Sequence, residues 1–393
     1  MAERRIKRFT TILLLFLLPL VSCLQEDKEE FSFNYTPETL EVFLVNMTRD
    51  YPSITSLEVI GHSRSGRPLY ALVVSGNPGV LEREPRIRLV GAIHGDEIIT
   101  TQWLALFIEY LLKNYETDSR IQSLVDGRCL VFIPMLNPDG VARGWRYNAG
   151  IVDLNRNFDE HWTLDYDHGT GPFSEPETAA LRDYSVGEMR FHLSLSYHAG
   201  SVVVNMPFDY GRESEGIYPA EQTMVEYFAK AYATSGGFLQ TPGLMGGYYV
   251  DQGTINGGDW YVITGSLQDW SYMKSGCLDY TVEMSRGNPE TPEGMRQYFL
   301  YNRDALLAYA EEAGRGLCGR VTESGTGLPM AGVRITVPGG DLAVYTDSEG
   351  YYHRLLLPGS YDITFQKSGY SDKTLTGVTI PDSKVPVVRD VQM

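Results

Sequence analysis

Residues 86–115 constrain the fold most tightly. Arg86-Ile-Arg-Leu-Val-Gly-Ala-Ile-His94-Gly-Asp-Glu97 opens as a short apolar run, the mark of a buried strand, and ends in a His and, three residues on, a Glu. Ile98, Ile99, Trp103, Leu104, Phe107, Ile108, Leu111 and Leu112 then occupy the apolar positions of a helix over about 97–115. An imidazole at a strand end and a carboxylate at a helix start can converge on one point. That geometry suits Zn²⁺, which accepts nitrogen and oxygen ligands and keeps a fourth position open when it does chemistry. A lone His-x-x-Glu is a weak motif, and its meaning depends on what the rest of the chain supplies.

At 393 residues there is room for two or three domains. Thr36-Pro37 reads as the N-cap and first residue of a helix with Leu40, Phe43, Leu44 and Met47 on its apolar face. Residues 53–62 and 68–75, joined by Ser63-Arg-Ser-Gly-Arg67, read as a hairpin. Cys129–Met135 is a further strand, stopped by the turn signal Asn137-Pro-Asp-Gly140. A Gly-, Asp-, Asn- and aromatic-rich loop follows over about 139–175, a length usually reserved for function. Helices are expected at 176–184, 219–234 and 292–313, and strands at 191–197, ending at His198, and at 279–284. Strands alternating with helices predict an α/β fold, a sheet with helices on both faces whose site lies where strands give way to loops. From Leu317 onward the texture changes to short β-prone runs separated by Gly, Pro and Asp, the pattern of a small all-β sandwich. This places a domain over 31–315 and a second over 316–393.

The N-terminus reads as a targeting segment over 1–22. Arg4, Arg5, Lys7 and Arg8 precede the apolar run Ile12–Val21, which is too short to span a bilayer. Leu20-Val21-Ser22-Cys23 resembles a bacterial lipobox, with Cys23 lipidated and residues 23–30 as a polar tether; the alternative is an ordinary cleaved signal. The expectation is an extracytoplasmic protein held to a membrane by lipid. The net charge of −17 makes nucleic acid a poor partner. Setting Cys23 aside, Cys129, Cys277 and Cys318 show no metal or redox spacing, and no disulfide framework is expected.

Of seven His, His94 and His198 end predicted strands beside Gly95 and Gly200, where the backbone leaves room for a metal. His161 and His168 read as surface loop residues, His192 as a core residue, and His62 and His353 have no ligand partner at a useful spacing. Between His94 and His198 lies Gly144-Trp-Arg146-Tyr-Asn148-Ala-Gly-Ile-Val-Asp153-Leu-Asn155-Arg156-Asn157-Phe158, whose Arg and amide groups could grip a carboxylate. Together, His94-x-x-Glu97, Asn137-Pro-Asp-Gly140, Asp153–Phe158, His198 and Thr281-Val-Glu283 resemble, in order and spacing, the zinc metallocarboxypeptidases. His198-Ala-Gly-Ser-Val-Val-Val-Asn-Met-Pro-Phe-Asp209, Gly265-Ser-Leu-Gln268-Asp-Trp270-Ser-Tyr272 and the trailing β-domain are similar to the carboxypeptidase N/E group, in which a transthyretin-like domain follows the catalytic one.

The resemblance implies a metallocarboxypeptidase-like mixed sheet and the following roles. His94, Glu97 and His198 bind Zn²⁺, and Asp153 fixes the tautomer of His94. Glu283 is the general base, and Arg146 stabilises the oxyanion. Asn155 and Arg156 bind the terminal carboxylate of a peptide or protein, and Tyr261 closes over the bound residue. Asp209 receives a Lys or Arg side chain, with Gln268 at the pocket floor, since a buried anion penalises an apolar substrate. Asp209 could also be a turn residue after Pro207. Two other functions stay open at this stage. One is the same chemistry on cell-wall peptides ending in diaminopimelate, and the other is a non-catalytic surface binding module.

Overall fold

The computed structural model describes residues 35–187, 189–247, 250–289 and 291–393. The targeting segment, Cys23 and the polar tether lie outside them. None of the described helices is long and apolar enough to cross a membrane.

Helix α1 (Pro37–Asp50) starts at Thr36, whose hydroxyl accepts the Thr39 N–H. The hairpin of β1 (Thr55–His62) and β2 (Pro68–Val74) is antiparallel, as expected. Then come β3 (Arg86–Val90), α2 (Ile98–Asn114), α3 (Ser119–Asp126), β4 (Cys129–Ile133), α4 (Pro138–Arg143) and α5 (Pro176–Val186). The second half runs β5 (Leu193–His198), β6 (Ser201–Met206), α6 (Gln222–Ala233), β7 (Thr254–Asn256), α7 (Gly257–Trp260), α8 (Leu267–Trp270), β8 (Leu278–Ser285) and α9 (Pro292–Glu312). Among the described residues these strands form one sheet in the order β1-β2-β4-β3-β5-β8-β6-β7, with β4, β3, β5 and β8 parallel.

Both faces of the sheet are covered. Val90, Val131, Ile133, Leu181 and Trp270 share one core with α5 and α8. On the other face Trp103 of α2 packs on Tyr197 of β5, and Tyr309 of α9 packs on Tyr280 of β8 and Tyr232 of α6.

Several expectations need correction. Asn137-Pro-Asp-Gly140 does not end in a simple turn. Asn137 caps α4 and Pro138 fills its first position, a pairing suited to a helix start. Helix α3 and the strands β6 and β7 were not anticipated. His168 is buried, not a surface residue; its ring nitrogen Nδ1 lies 2.7 Å from the Thr163 carbonyl. Cys129, Cys277 and Cys318 are buried and free.

The C-terminal part is all-β. It comprises β9 (Leu317–Thr322), β10 (Arg334–Thr336), β11 (Val344–Tyr345), β12 (Tyr351–Arg354), β13 (Gly359–Gln366), β14 (Lys373–Ile380), β15 (Val387–Val388) and β16 (Val391–Gln392). One sheet runs β11-β10-β13-β14, and β12, β15 and β16 gather around β9. Val333, Ile335, Tyr352, Ile363 and Phe365 fill the space between.

Strand β3 carries two Arg at positions that burial would normally reserve for apolar residues. Arg86 Nη1 lies 2.9 Å from Asp347 Oδ2 of the β-domain. Arg88 is fully buried; it donates to Asp279 of β8 at 2.7 Å and to the hydroxyls of Ser185, Ser194 and Ser271. A buried guanidinium is tolerated when its donors are met this completely. Removing one partner leaves the other charge stranded. Arg88→Met or Asp279→Leu is therefore expected to lower unfolding free energy by about 3–5 kcal/mol, and the double replacement Arg88→Met/Asp279→Leu by less than the sum. Urea unfolding of the four proteins checks this; additive losses would refute it.

Candidate active site

Strands β3, β5 and β8 run parallel and in register, so their C-terminal ends deliver side chains to one edge. Beyond β3 the chain turns at Ala92, held at a φ of 44° by Thr100 Oγ1, which accepts its N–H, and by Asn137, whose N–H its carbonyl accepts. That turn aims His94 back toward the sheet. In the β5–β8 ladder His198 stands opposite Glu283. Glu97, just ahead of α2, completes the group.

His94 Nδ1 lies 2.9 Å from Glu97 Oε1 and 3.2 Å from His198 Nδ1, and His198 Nδ1 lies 3.0 Å from Glu97 Oε2. All three residues are buried. On its far side His94 Nε2 lies 3.0 Å from Asp153 Oδ1, so Nε2 carries the proton and Nδ1 presents its lone pair. Two nitrogens and a carboxylate oxygen this close match the edge of a tetrahedron around an ion with bonds of about 2.0 Å, roughly 3.3 Å. Glu97 Oε2 and Glu283 Oε2 are buried without a hydrogen-bond partner among the described residues. Two neighbouring carboxylates and two facing imidazole lone pairs need a shared cation, and the donor set fits Zn²⁺.

The demand for positive charge at this point also shows in the ionisable groups, which hold protons where the cation would sit. Burial pushes the Glu283 carboxyl up, and the Glu97 carboxylate adds to this, to about 8. Burial would lower the His94 imidazole, but Glu97 and Asp153 outweigh it and lift it to about 9. For Glu97, burial is outweighed by His94 and His198, which hold its carboxyl below the usual range.

Asp153 serves a second residue. Its Oδ2 accepts from Arg146 Nε at 3.1 Å and Nη2 at 2.9 Å, leaving Nη1 pointed at the metal ligands, 3.2 Å from His94 Nδ1. Asn137 Nδ2 donates to the carbonyls of Ile93 and Arg146, tying the two strand-end loops together. Asn155 donates its N–H to Asp153 and accepts the Leu267 N–H at Oδ1, which leaves its amide NH₂ as the group available to the cavity. Arg156 donates Nη1 to the Asn155 carbonyl.

Arg146, Asn155 and Arg156 line one cavity of about 190 Å³, together with His94, Glu97, His198, Glu283, Asn205, Asp209 and Tyr261. Tyr261 is 46% exposed, at its mouth. Asp209 is buried. Its Oδ1 accepts from Asn205 Nδ2 at 3.1 Å, and its own N–H and that of Tyr210 donate to Asp269. Only a glycine fits beside it, because a Cβ on Gly257 would sit 2.0 Å from Asp209 Oδ1. Gln268 does not line the cavity. Its Oε1 accepts the Thr281 N–H at 2.7 Å and its Nε2 reaches Asn205 at 3.4 Å, so it touches the pocket through Asn205. Asn205 escaped the sequence reading; a single amide within Val202–Met206 was the available signal.

Comparison with known proteins agrees with this geometry. The sequence model of the zinc carboxypeptidase family matches residues 40–315, and that of the carboxypeptidase regulatory-like domain matches 316–393. The chain is 32% identical over 353 residues to carboxypeptidase D of Anas platyrhynchos, covering 86% of this chain and 25% of that protein. It is 32% identical over 378 residues to the carboxypeptidase N catalytic chain of Mus musculus, covering 87% of this chain and 82% of that one. The chain thus spans about a quarter of the length of the carboxypeptidase D relatives it matches. The crystal structure of carboxypeptidase A from Helicoverpa armigera shares the fold, with a TM-score of 0.60 at 22% identity over 71% of this chain and 73% of that one. The chain belongs to the zinc carboxypeptidase family.

Proposed function

We propose that the protein is a zinc-dependent exopeptidase that releases C-terminal Lys or Arg. The observation that carries this reading is the buried Asp209 carboxylate in the same cavity as Arg156, Arg146 and the metal ligands. One cavity can then hold a substrate's terminal carboxylate and its cationic side chain at once.

Zn²⁺ held by His94, Glu97 and His198 would supply Lewis-acid polarisation and a water of lowered pKa. The chain's own residues do the rest. Arg156 and the Asn155 amide grip the terminal carboxylate, which restricts cleavage to the last peptide bond. Arg146 Nη1, already positioned by Asp153, donates to the oxygen on which negative charge develops. Glu283 accepts the attacking water's proton at Oε2 and passes it to the leaving amine. Asp209 pairs with the ammonium or guanidinium of the departing residue. The relatives, carboxypeptidase D and the carboxypeptidase N catalytic chain, support the family chemistry.

We also propose that Cys23, outside the described residues, is lipidated and anchors the protein outside the cytoplasm. The basic and apolar residues before it support this. Metabolic labelling with a fatty acid should mark wild type and not Cys23→Ser; label retained in the variant would refute the anchor.

Two kinetic outcomes follow. On blocked dipeptides ending in Arg, Lys, Phe and Glu, wild type should prefer Arg and Lys and lose activity to a chelator. Asp209→Ala should lower kcat/KM for Arg and Lys by about 10²-fold or more while sparing Phe. Burial raises the Asp209 carboxyl above its ordinary range, so it is neutralised at a higher pH than an exposed Asp. The Arg-to-Phe ratio of kcat/KM should therefore fall toward acid pH, the titration of Glu283 cancelling in the ratio. Equal rates on Arg and Phe at neutral pH would overturn the specificity. Separately, Glu283→Gln should bind one zinc per chain, as wild type does, yet lose kcat by about 10²- to 10⁴-fold. Loss of zinc in this variant would count against a role confined to proton transfer.

A further inference from the structure

The β-domain contributes no residue to the cavity, yet it reaches the pocket that holds Asp209. Helix α8 runs on as a wider π turn, Ser271–Ser275, and this segment carries Asp269 and Tyr272. Asp269 takes the N–H groups of Asp209 and Tyr210. Tyr272 is fully buried, and its ring meets Phe208 edge-on at 5.4 Å between centroids. Phe208 directly precedes Asp209.

The hydroxyl of Tyr272 donates to Asp341 Oδ1 at 2.5 Å. Asp341 lies between β10 and β11, and its Oδ2 accepts the Ala220 N–H at 2.9 Å. The far end of the turn is pressed against the same loop, since a Cβ on Gly276 would meet the Ala343 carbonyl at 2.1 Å. A π turn has weaker backbone support than an α-helix and depends on tertiary contacts to hold its shape. Here a charge-assisted hydrogen bond from the β-domain supplies that support, at the residue whose ring backs the Asp209 loop.

We infer that the β-domain sets the basic side-chain pocket, with Asp341 acting on Tyr272 as a positioning residue for Asp209. The inference rests on the reading of Asp209 as the acceptor of Lys and Arg. Asp341 and Tyr272 touch no substrate; they hold the segment in which Asp269 takes the Asp209 N–H and Tyr272 packs on Phe208. A role confined to stability would lower Tm without changing which substrate is preferred.

The test uses the full chain, with Tyr272→Phe and Asp341→Asn assayed below their melting temperatures on Arg and Phe dipeptides. Each should lower the Arg-to-Phe ratio of kcat/KM by about 3- to 30-fold, chiefly through KM for Arg, with kcat on Phe unchanged. Asp382→Asn, which removes one of the two ion pairs of Arg315 at the start of the β-domain, serves as a control and should leave the ratio as in wild type. Folded variants that keep the wild-type ratio overturn the inference and leave the Asp209 reading intact. A ratio lost equally in Asp382→Asn also overturns it, because any weakening of the β-domain would then suffice. A wild type without Arg or Lys preference removes the Asp209 reading itself.

Discussion

The site depends on one buried carboxylate. Asp153 Oδ1 faces His94 Nε2 and accepts the Asn155 N–H, while Oδ2 takes two donors from Arg146. Without it the His94 ring could rotate or change tautomer, and Nδ1 would not face Glu97 and His198. Arg146 would lose the fork that aims Nη1 at the same point. A metal ligand, an oxyanion donor and the start of the carboxylate clamp therefore share one anchor. The charge on Asp153 is sustained in spite of burial because His94 and the two Arg residues hold its carboxyl well below the usual range. In the proposed function, metal affinity and transition-state stabilisation are coupled through this residue.

Much of the fold was legible because it follows local periodicity. The hairpin, the strand before His94, the helix after Glu97 and the change of texture near residue 316 are all patterns of period two or 3.6. What escaped has long-range causes. Arg86 and Arg88 look like solvent-facing positions until Asp347 and Asp279 arrive from far along the chain. Strand β6 pairs antiparallel with β8 and parallel with β7, an arrangement no local pattern encodes. His168 is buried because its loop folds back over Asn157, whose amide donates to the His168 carbonyl. For the site, the three ligands were visible as strand-end and helix-start residues. Asn205 and the indirect place of Gln268 were not, because both follow from how β6 lies against α8 and β8.

The Asp209 pocket also shows how a buried anion is kept near another. Asp269 sits behind it, and burial together with the Asp209 carboxylate pushes the Asp269 carboxyl well above the usual range. Asp269 spends its oxygens on the backbone N–H groups of Asp209 and Tyr210, fixing the loop, while Asp209 spends one oxygen on Asn205. Ser266 is a second side-chain partner of Asp209. On the proposed reading, discrimination comes from charge: an apolar side chain would bury the carboxylate without its cation.

Charge alternates along the cavity, and on the proposed reading that alternation defines the reaction. Glu97 and Glu283 form a negative end that requires a metal cation. Arg146 and Arg156 form a positive middle that requires a developing oxyanion and a terminal carboxylate. Asp209 forms a second negative end that requires a basic side chain. A peptide ending in Lys or Arg presents carboxylate and cation in the order this sequence of charges demands, with its last carbonyl beside the metal ligands. An internal peptide bond lacks the carboxylate and leaves Arg156 without its counter-charge, so the same electrostatic layout that selects the side chain also confines cleavage to the chain end.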